Sequence, residues 1–223
     1  MEGSSAFVGA NPERSDSSGI SEIVKTKRPQ FPRVAHDHYV EDLACSRELF
    51  AELRGGFGPD VAFSTIVDPC AGFGNIVASA REAGFAAYGS DLIRRAPGMA
   101  GGRDFLSDAW RAPRRAGAEF AIVGNPPFQL LRGFCEAACA RAPVVIFLAP
   151  QQRLRCAFRW LTGLPLKWEV HPSRRPSMWP GAQYAAKIAA GEPLRTGRDE
   201  AVWLIFERGW TGPVMKHAFR GET

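Results

Sequence analysis

Two stretches of this 223-residue sequence put chemically useful groups at abrupt chain reversals. The first is Asp68-Pro69-Cys70-Ala71-Gly72-Phe73-Gly74-Asn75, which follows a short apolar, β-branched run. Glycines at 72 and 74 allow a tight turn and close approach of a ligand to the backbone just before a helix begins. An acid at the head of that turn favours a cationic ligand over a pyrophosphate; its plainer role is to cap the turn. The second stretch is Asn125-Pro126-Pro127-Phe128, after the apolar run 120–124. Neither proline donates to a strand ladder and each restrains the residue before it, so the strand stops hard. An amide, two free carbonyls and an aromatic ring are left at a strand's C-terminal end, where open α/β sheets bind ligands.

Two further acids fall in register with these turns. Asp91 closes the next apolar run, 17 positions after Gly74. That is the place where a ribose diol finds its acceptor in nucleotide-binding sheets, and also a good helix N-cap. Asp104-Phe105 sets a carboxylate beside a ring, which suits an adenine through its exocyclic amine and its face; a surface acid beside a core ring is the alternative.

The elements that must position these residues follow from apolar periodicity. Helical spacing over 42–53 ends at Gly55-Gly56, and strand signals at 63–67, 85–89, 120–123, 144–148, 166–170 and 202–207 alternate with helical ones at 75–83, 130–140 and 153–161. A shorter strand is expected at 103–106 and a helix, interrupted by Pro113, over 107–116. Strands separated by helix-length connections predict an α/β fold: a doubly wound, mostly parallel sheet of about seven strands. The last two strands lack a helical crossover, so an antiparallel edge strand is expected there. Residues 1–33, rich in Ser, Gly, Pro and charge, read as a disordered or loosely attached tail, and 34–223 as a single domain.

Composition narrows the partners. No run approaches the roughly 20 apolar residues of a membrane span. The N-terminus lacks the basic-then-apolar pattern of a secretory signal. Five cysteines without a CxxC pair or a nearby histidine set argue for reduced thiols in a cytoplasm and against a metal site. The net charge of +5 is uneven: between Gln151 and Arg220 twelve Lys or Arg face five Asp or Glu. A basic C-terminal third suits a polyanionic partner, or is simply a scatter of solvating arginines.

Taken in order, these motifs resemble class I S-adenosylmethionine-dependent methyltransferases. The likeness is to the amino-directed branch, whose fourth motif is Asp, Asn or Ser, then Pro-Pro, then an aromatic residue. It covers about 34–210 and implies a Rossmann-like sheet. Within it, small phage-type or orphan N6-adenine DNA methyltransferases are the most similar. The resemblance implies S-adenosylmethionine as cofactor, held by His38, Tyr39, Asp68, Cys70, Gly72, Gly74, Asp91, Leu92, Asp104, Phe105 and Asn125. It implies Asn125, Pro126, Pro127 and Phe128 as the catalytic motif. The chain departs from larger members in lacking a dedicated target-recognition domain, so only the loop 171–200 is left for that task. The arginine pair Arg174 and Arg175 in that loop, with Arg153 and Arg155 just after the 144–148 strand, is the expected nucleic-acid contact.

The chemistry fits the residue types. An adenine amine is a poor nucleophile because its lone pair is delocalised. The Asn125 oxygen and the Pro126 carbonyl would hold its hydrogens and turn the lone pair toward a sulfonium methyl. Phe128 would stack on a base flipped out of the helix. Alignment of this kind is worth roughly 7–11 kcal/mol and needs neither a metal nor a strong base. Adenosine in RNA and glutamine in protein fit the same acceptors, and a non-catalytic nucleic-acid-binding subunit of the same fold is a further alternative. Oligomeric state is left open.

Overall fold

The computed structural model describes residues 38–117, 119–195, 197 and 200–221, with the side chains of 155–158 left out. The expected tail at 1–33, His36 and the Arg155 side chain lie outside the described residues. In chain order the elements are β1 (Tyr39–Glu41), α1 (Leu43–Arg54), β2 (Thr65–Asp68), α2 (Asn75–Glu82), β3 (Ala86–Gly89), β4 (Phe120–Gly124) and α3 (Leu131–Arg141). There follow β5 (Val144–Pro150), α4 (Gln151–Leu161), β6 (Leu166–His171), β7 (Met178–Pro180), α5 (Gly181–Ala189), β8 (Ala201–Glu207) and β9 (Met215–Ala218).

Seven strands form one sheet in the order β3-β2-β4-β5-β8-β6-β9. All neighbours are parallel except at β8, which runs antiparallel to both β5 and β6. Because side chains alternate along a strand, each buried strand feeds two cores. Val144, Ile146 and Leu148 of β5 join Trp203 and Ile205 of β8 on the face covered by α1 and α2. Val145, Phe147 and Ala149 join Val202, Leu204 and Phe206 on the face covered by α3. Such doubly covered strands read as unbroken apolar runs, which is why they were legible.

The α/β, mostly parallel seven-stranded sheet agrees with the sequence. Its antiparallel member does not lie at the edge: β8 sits between β5 and β6, where burial on both faces explains its uninterrupted apolar sequence. The strand expected at 103–106 is absent. Asp104 Oδ1 instead accepts the Leu106 N–H at 2.9 Å, closing a turn. The Arg141 guanidinium holds that turn through the carbonyls of Phe105 and Ser107 and lies over the Phe105 and Trp110 rings. Of the helix expected over 107–116 only a 3-10 turn, Arg114–Ala116, forms, since Pro113 cannot donate inside a helix.

Residues 171–200, expected as a loop, contain β7 and α5. β7 pairs antiparallel with β1 in a separate two-stranded sheet, Tyr39 opposite Pro180 and Glu41 opposite Met178. Three-residue strands carry too little pattern to be read from sequence, and β9 is similarly short. α1 is started by Asp42, whose Oδ1 accepts the Cys45 N–H at 3.0 Å.

One buried ion pair closes the sheet away from the glycine turn. Lys167 of β6, 3% exposed, lies 3.0 Å from Glu207 of β8, itself 9% exposed, and 2.7 Å from the exposed carboxylate of Asp60. Removing the lysine leaves Glu207 buried without a counter-charge. Lys167→Ala is therefore expected to cost about 3–5 kcal/mol in urea unfolding, whereas Asp60→Ala should cost less than about 1 kcal/mol. Equal losses would contradict the assignment of the buried pair as the one that matters.

Candidate functional site

A cavity of about 360 Å³ opens at the C-terminal ends of β2 and β4 and the loop after β3. The chain runs from β2 to β3 on one side and then to β4 on the other, so this is the point at which strand order reverses. Parallel register sets Thr65 level with Phe120 and Val67 level with Ile122, which brings the residues that follow the two strands side by side.

The turn after β2 is built on two aspartates, one that the sequence anticipates as its cap, Asp68, and one that it does not, Asp91. Asp68 Oδ1 accepts the Cys70 N–H at 3.0 Å, and Asp91 Oδ2 accepts the Gly72 N–H at 2.9 Å. Asp91 Oδ1 also accepts from Ile93 N at 3.0 Å. Each Asp91 oxygen keeps a lone pair for an incoming diol. Gly72 has φ 50°, and a Cβ there would stand 3.1 Å from His38 Nε2; both backbone shape and space demand glycine. At Gly124 the reason is space alone. A Cβ would meet Cys70 Sγ at 3.0 Å and Asp68 Oδ1 at 3.1 Å, so the missing side chain lets the Asp68 carboxyl lie against β4.

Asn125 stands at the centre of the site. Its Nδ2 donates to the Tyr39 carbonyl at 3.1 Å and to Glu41 Oε2 at 2.8 Å. A main-chain carbonyl only accepts, so the amide nitrogen must face β1 and the oxygen must face away. Asn125 Oδ1 is indeed buried and has no hydrogen-bond partner among the described residues, while Asn125 lines the cavity. A buried acceptor without a partner costs about 1–3 kcal/mol; a ligand N–H would relieve it. Asn75 holds β1 from the other side, its Nδ2 donating to the Glu41 carbonyl at 2.8 Å and to Tyr184 Oη of α5 at 3.0 Å.

The structure gathers most of the residues expected from sequence. Asp68, Cys70 and Gly72 of the glycine turn line the cavity with Asn125 and Pro127. So do His38 and Tyr39 from β1's side, and Asp91, Leu92, Asp104 and Phe105 from the loop after β3. Gly74 heads α2 with φ 87° and does not line it. Pro126 and Phe128 also lie outside the lining. The Phe128 ring is parallel to that of Tyr39, interplanar angle 1° and centroids 6.5 Å apart. Of the arginines expected to contact nucleic acid, Arg174 pairs with Asp42 at 3.3 Å and Arg175 with Glu200 at 3.0 Å, both more than half exposed, while Arg153 is exposed on α4. Sequence reasoning did not single out Glu41, Asn75 or Arg95. The adjacency of Glu41 to His38-Tyr39 was its one available signal.

No protein-family model matches the chain, and no curated protein matches it in sequence. Solved structures do match in fold. A candidate RNA methyltransferase from Pyrococcus horikoshii is 16% identical, with 80% of this chain and 90% of that one aligned at a TM-score of 0.52. A candidate class I S-adenosylmethionine-dependent methyltransferase from Listeria monocytogenes is 12% identical, covering 83% and 67% at 0.54. A candidate hemolysin from Lactococcus lactis is 11% identical, covering 78% and 91% at 0.52. The chain has the Rossmann-like fold of class I methyltransferases.

The electrostatics of the cavity are unusual for so polar a lining. Burial pushes the Glu41 carboxyl up to about 7, against the hydrogen bonds from its backbone and from Asn125. Burial also raises Asp68 well above the ordinary carboxylate range, partly offset by the Cys70 N–H. His38 is lowered to about 4, first by burial and then by the nearby Arg95 charge, so its ring is neutral at physiological pH. A carboxyl raised in the folded state is deprotonated first in the unfolded chain, so stability falls as pH climbs from about 4.5 to about 7. Glu41→Gln removes that term. Its stability should gain on wild type between pH 5 and pH 8 by up to about 3 kcal/mol, read from denaturant unfolding at each pH. Parallel pH curves for the two proteins would mean that Glu41 is not a buried acid.

Proposed function

We propose that the chain is an S-adenosylmethionine-dependent methyltransferase acting on the N6 amine of adenine in DNA. The observation that carries this reading is the buried, partnerless Oδ1 of Asn125, a residue that lines the cavity and whose amide is oriented by Tyr39 and Glu41. An acceptor held in this way suits a planar N–H donor.

The lining residues fit the cofactor. Asp91 has lone pairs to spare for a ribose diol, Gly72 offers a bare backbone, and Asp104 beside Phe105 suits an adenine. The buried acids Glu41 and Asp68 favour a cation, since a positive ligand would restore the charge that burial disfavours. When bound, S-adenosylmethionine supplies an activated methyl group on a sulfonium.

The chain's own residues do the rest by alignment. Asn125 Oδ1 accepts one amino hydrogen of the target, and the Pro126 carbonyl is the second acceptor in this reading. With both hydrogens held, the nitrogen lone pair is directed across the cavity. Because Nδ2 of Asn125 is tied to β1, its oxygen needs no reorganisation when the target arrives, which is the condition for electrostatic preorganisation to pay off. The Phe128 and Tyr39 rings lie parallel to one another, and in this reading the target base stacks on Phe128.

Adenosine in RNA is the second reading, in line with the description of the Pyrococcus horikoshii structure. Protein glutamine fits the acceptors but not the net positive charge of the sequence. With labelled S-adenosylmethionine and a panel of DNA, RNA and protein, the expected product is N6-methyladenine in DNA. Asn125→Ala should lower transfer by about a hundredfold or more while cofactor affinity stays within a few-fold. Wild-type turnover in that variant would remove Asn125 from the mechanism. Affinity for DNA should fall steeply with salt; a flat titration would remove nucleic acid as the partner.

A further inference from the structure

The chain between β3 and β4 carries a charge that the fold itself does not use. Residues 92–117 hold six arginines and no lysine against two aspartates, Asp104 and Asp108. Backbone hydrogen bonds draw residues 89–92 alongside 100–103. The Asp91 N–H donates to the Ala100 carbonyl at 2.9 Å, the Gly102 N–H to that of Leu92 at 3.1 Å, and the Arg103 N–H to that of Asp91 at 3.0 Å. Gly101 then lies so close to Arg94 that an added Cβ would stand 2.5 Å from the Arg94 Cβ. Arg103 in turn donates to the Arg111 carbonyl at 3.3 Å. Arg94, Arg103 and Arg111 are therefore neighbours along one arm, and Leu92 and Arg103 place that arm at the rim of the cavity.

These three arginines are exposed, and none forms an ion pair with a described residue. Arg47, Arg132, Arg174 and Arg175 each face an acid instead. The acids of the arm are engaged with its own backbone: Asp91 accepts from Gly72 and Ile93, and Asp104 from Leu106. Arg103 and Arg111 donate to main-chain carbonyls, which fixes where their charges stand without neutralising them. Like charges gathered in this way repel one another, and a polyanion relieves the repulsion. Leu92 and Ile93 on the same arm are 52% and 37% exposed. A lipid surface calls for an amphipathic helix with a broad apolar face, whereas the only helical piece described in 92–117 is the three-residue turn Arg114–Ala116. Separate guanidinium groups beside a cavity suit phosphates spaced along a nucleic-acid strand.

We infer that the arm from Leu92 to Arg111 is a docking surface for DNA, with Arg94, Arg103 and Arg111 on backbone phosphates of the strand that carries the target base. This rests on the DNA reading of the cavity and adds to it the place where the backbone is held. Phosphate contacts set register and carry no base sequence, so the arm positions the strand and leaves the choice of base to the cavity.

The test uses the full chain and a labelled DNA duplex containing adenine, with affinity read by fluorescence anisotropy across a salt series. Arg94 and Arg111 are the positions to change, because neither lines the cavity. Arg94→Gln with Arg111→Gln should reduce the slope of log affinity against log salt by about 0.9 for each arginine, so that the deficit against wild type narrows roughly tenfold between about 50 and about 200 mM salt. Arg94→Lys with Arg111→Lys should keep the wild-type slope, since counterion release counts charges and not their shape. Arg47→Gln, which removes an exposed arginine of α1 paired with Glu82, should keep it too. Affinity for S-adenosylmethionine should stay within about twofold throughout, as for other surface substitutions. If Arg111→Gln unsettles its turn, Arg94→Gln alone carries the measurement, with a slope change of about 0.9. A wild-type slope in the glutamine variants, or equal losses in the lysine and glutamine pairs, overturns the surface and leaves the DNA reading standing. Losses confined to RNA of the same sequence, or to vesicles of anionic lipid, with the duplex unaffected, also overturn it. A flat titration of the wild-type chain overturns the DNA reading itself.

Discussion

The direction in which one amide points organises this molecule. Asn125 could present nitrogen or oxygen to the cavity, and the choice is made by β1, whose Tyr39 carbonyl and Glu41 carboxyl both take the nitrogen. β1 is only three residues long and does not belong to the main sheet. Its position comes from β7 on one edge, and from Asn75 at the head of α2, which holds the Glu41 carbonyl. The orientation of the acceptor thus depends on three separated pieces of chain meeting over one side chain.

That meeting carries an electrostatic cost that makes sense only at a binding site. Glu41 and Asp68 are both raised first by burial, and the Glu41 charge raises Asp68 further. A fold selected for stability alone would fill these positions with apolar residues, since buried charge is seldom net stabilising. Here the two acids stand beside a glycine turn and a partnerless amide oxygen. Strain of this sort concentrates where a ligand relieves it, and a cation is the ligand whose arrival would lower both acids toward their ordinary range.

How much of this the sequence carried depended on the reach of each interaction. Strands β2, β4, β5 and β8 were legible because burial on both faces forces continuous apolar runs. The Asp68 turn, Asp91 and Asn125 were legible because local backbone chemistry at strand ends calls for those residue types at those spacings. Glu41 was not, since its role comes from a contact 84 positions away with Asn125, and nothing local distinguishes it from a surface acid. β8 was read as a strand, but its place inside the sheet was not, because strand order is a property of pairing and not of pattern. Arg174 and Arg175 show the converse limit: their charge is legible in the sequence, but the acids that pair with them, Asp42 and Glu200, are not.

The same pairing changes what residues 171–200 can do. Read as a loop, they were the one segment available for recognising a substrate. As folded, β7 holds β1, Tyr184 of α5 holds Asn75, and Gly181 packs so closely on His38 that a Cβ would stand 2.2 Å from its Nδ1. Ser177 N and Arg174 both bond to Asp42, the residue that caps α1. The inward side of this segment is therefore committed to supporting the acceptor and cannot vary without moving Asn125. Any change of specificity through it must come from outward-facing positions such as Trp179, whose ring lies 4.8 Å beneath Lys187. In the proposed methyltransferase, binding choice and catalytic geometry would share one support, so a substitution that alters either has to be read for its effect on both.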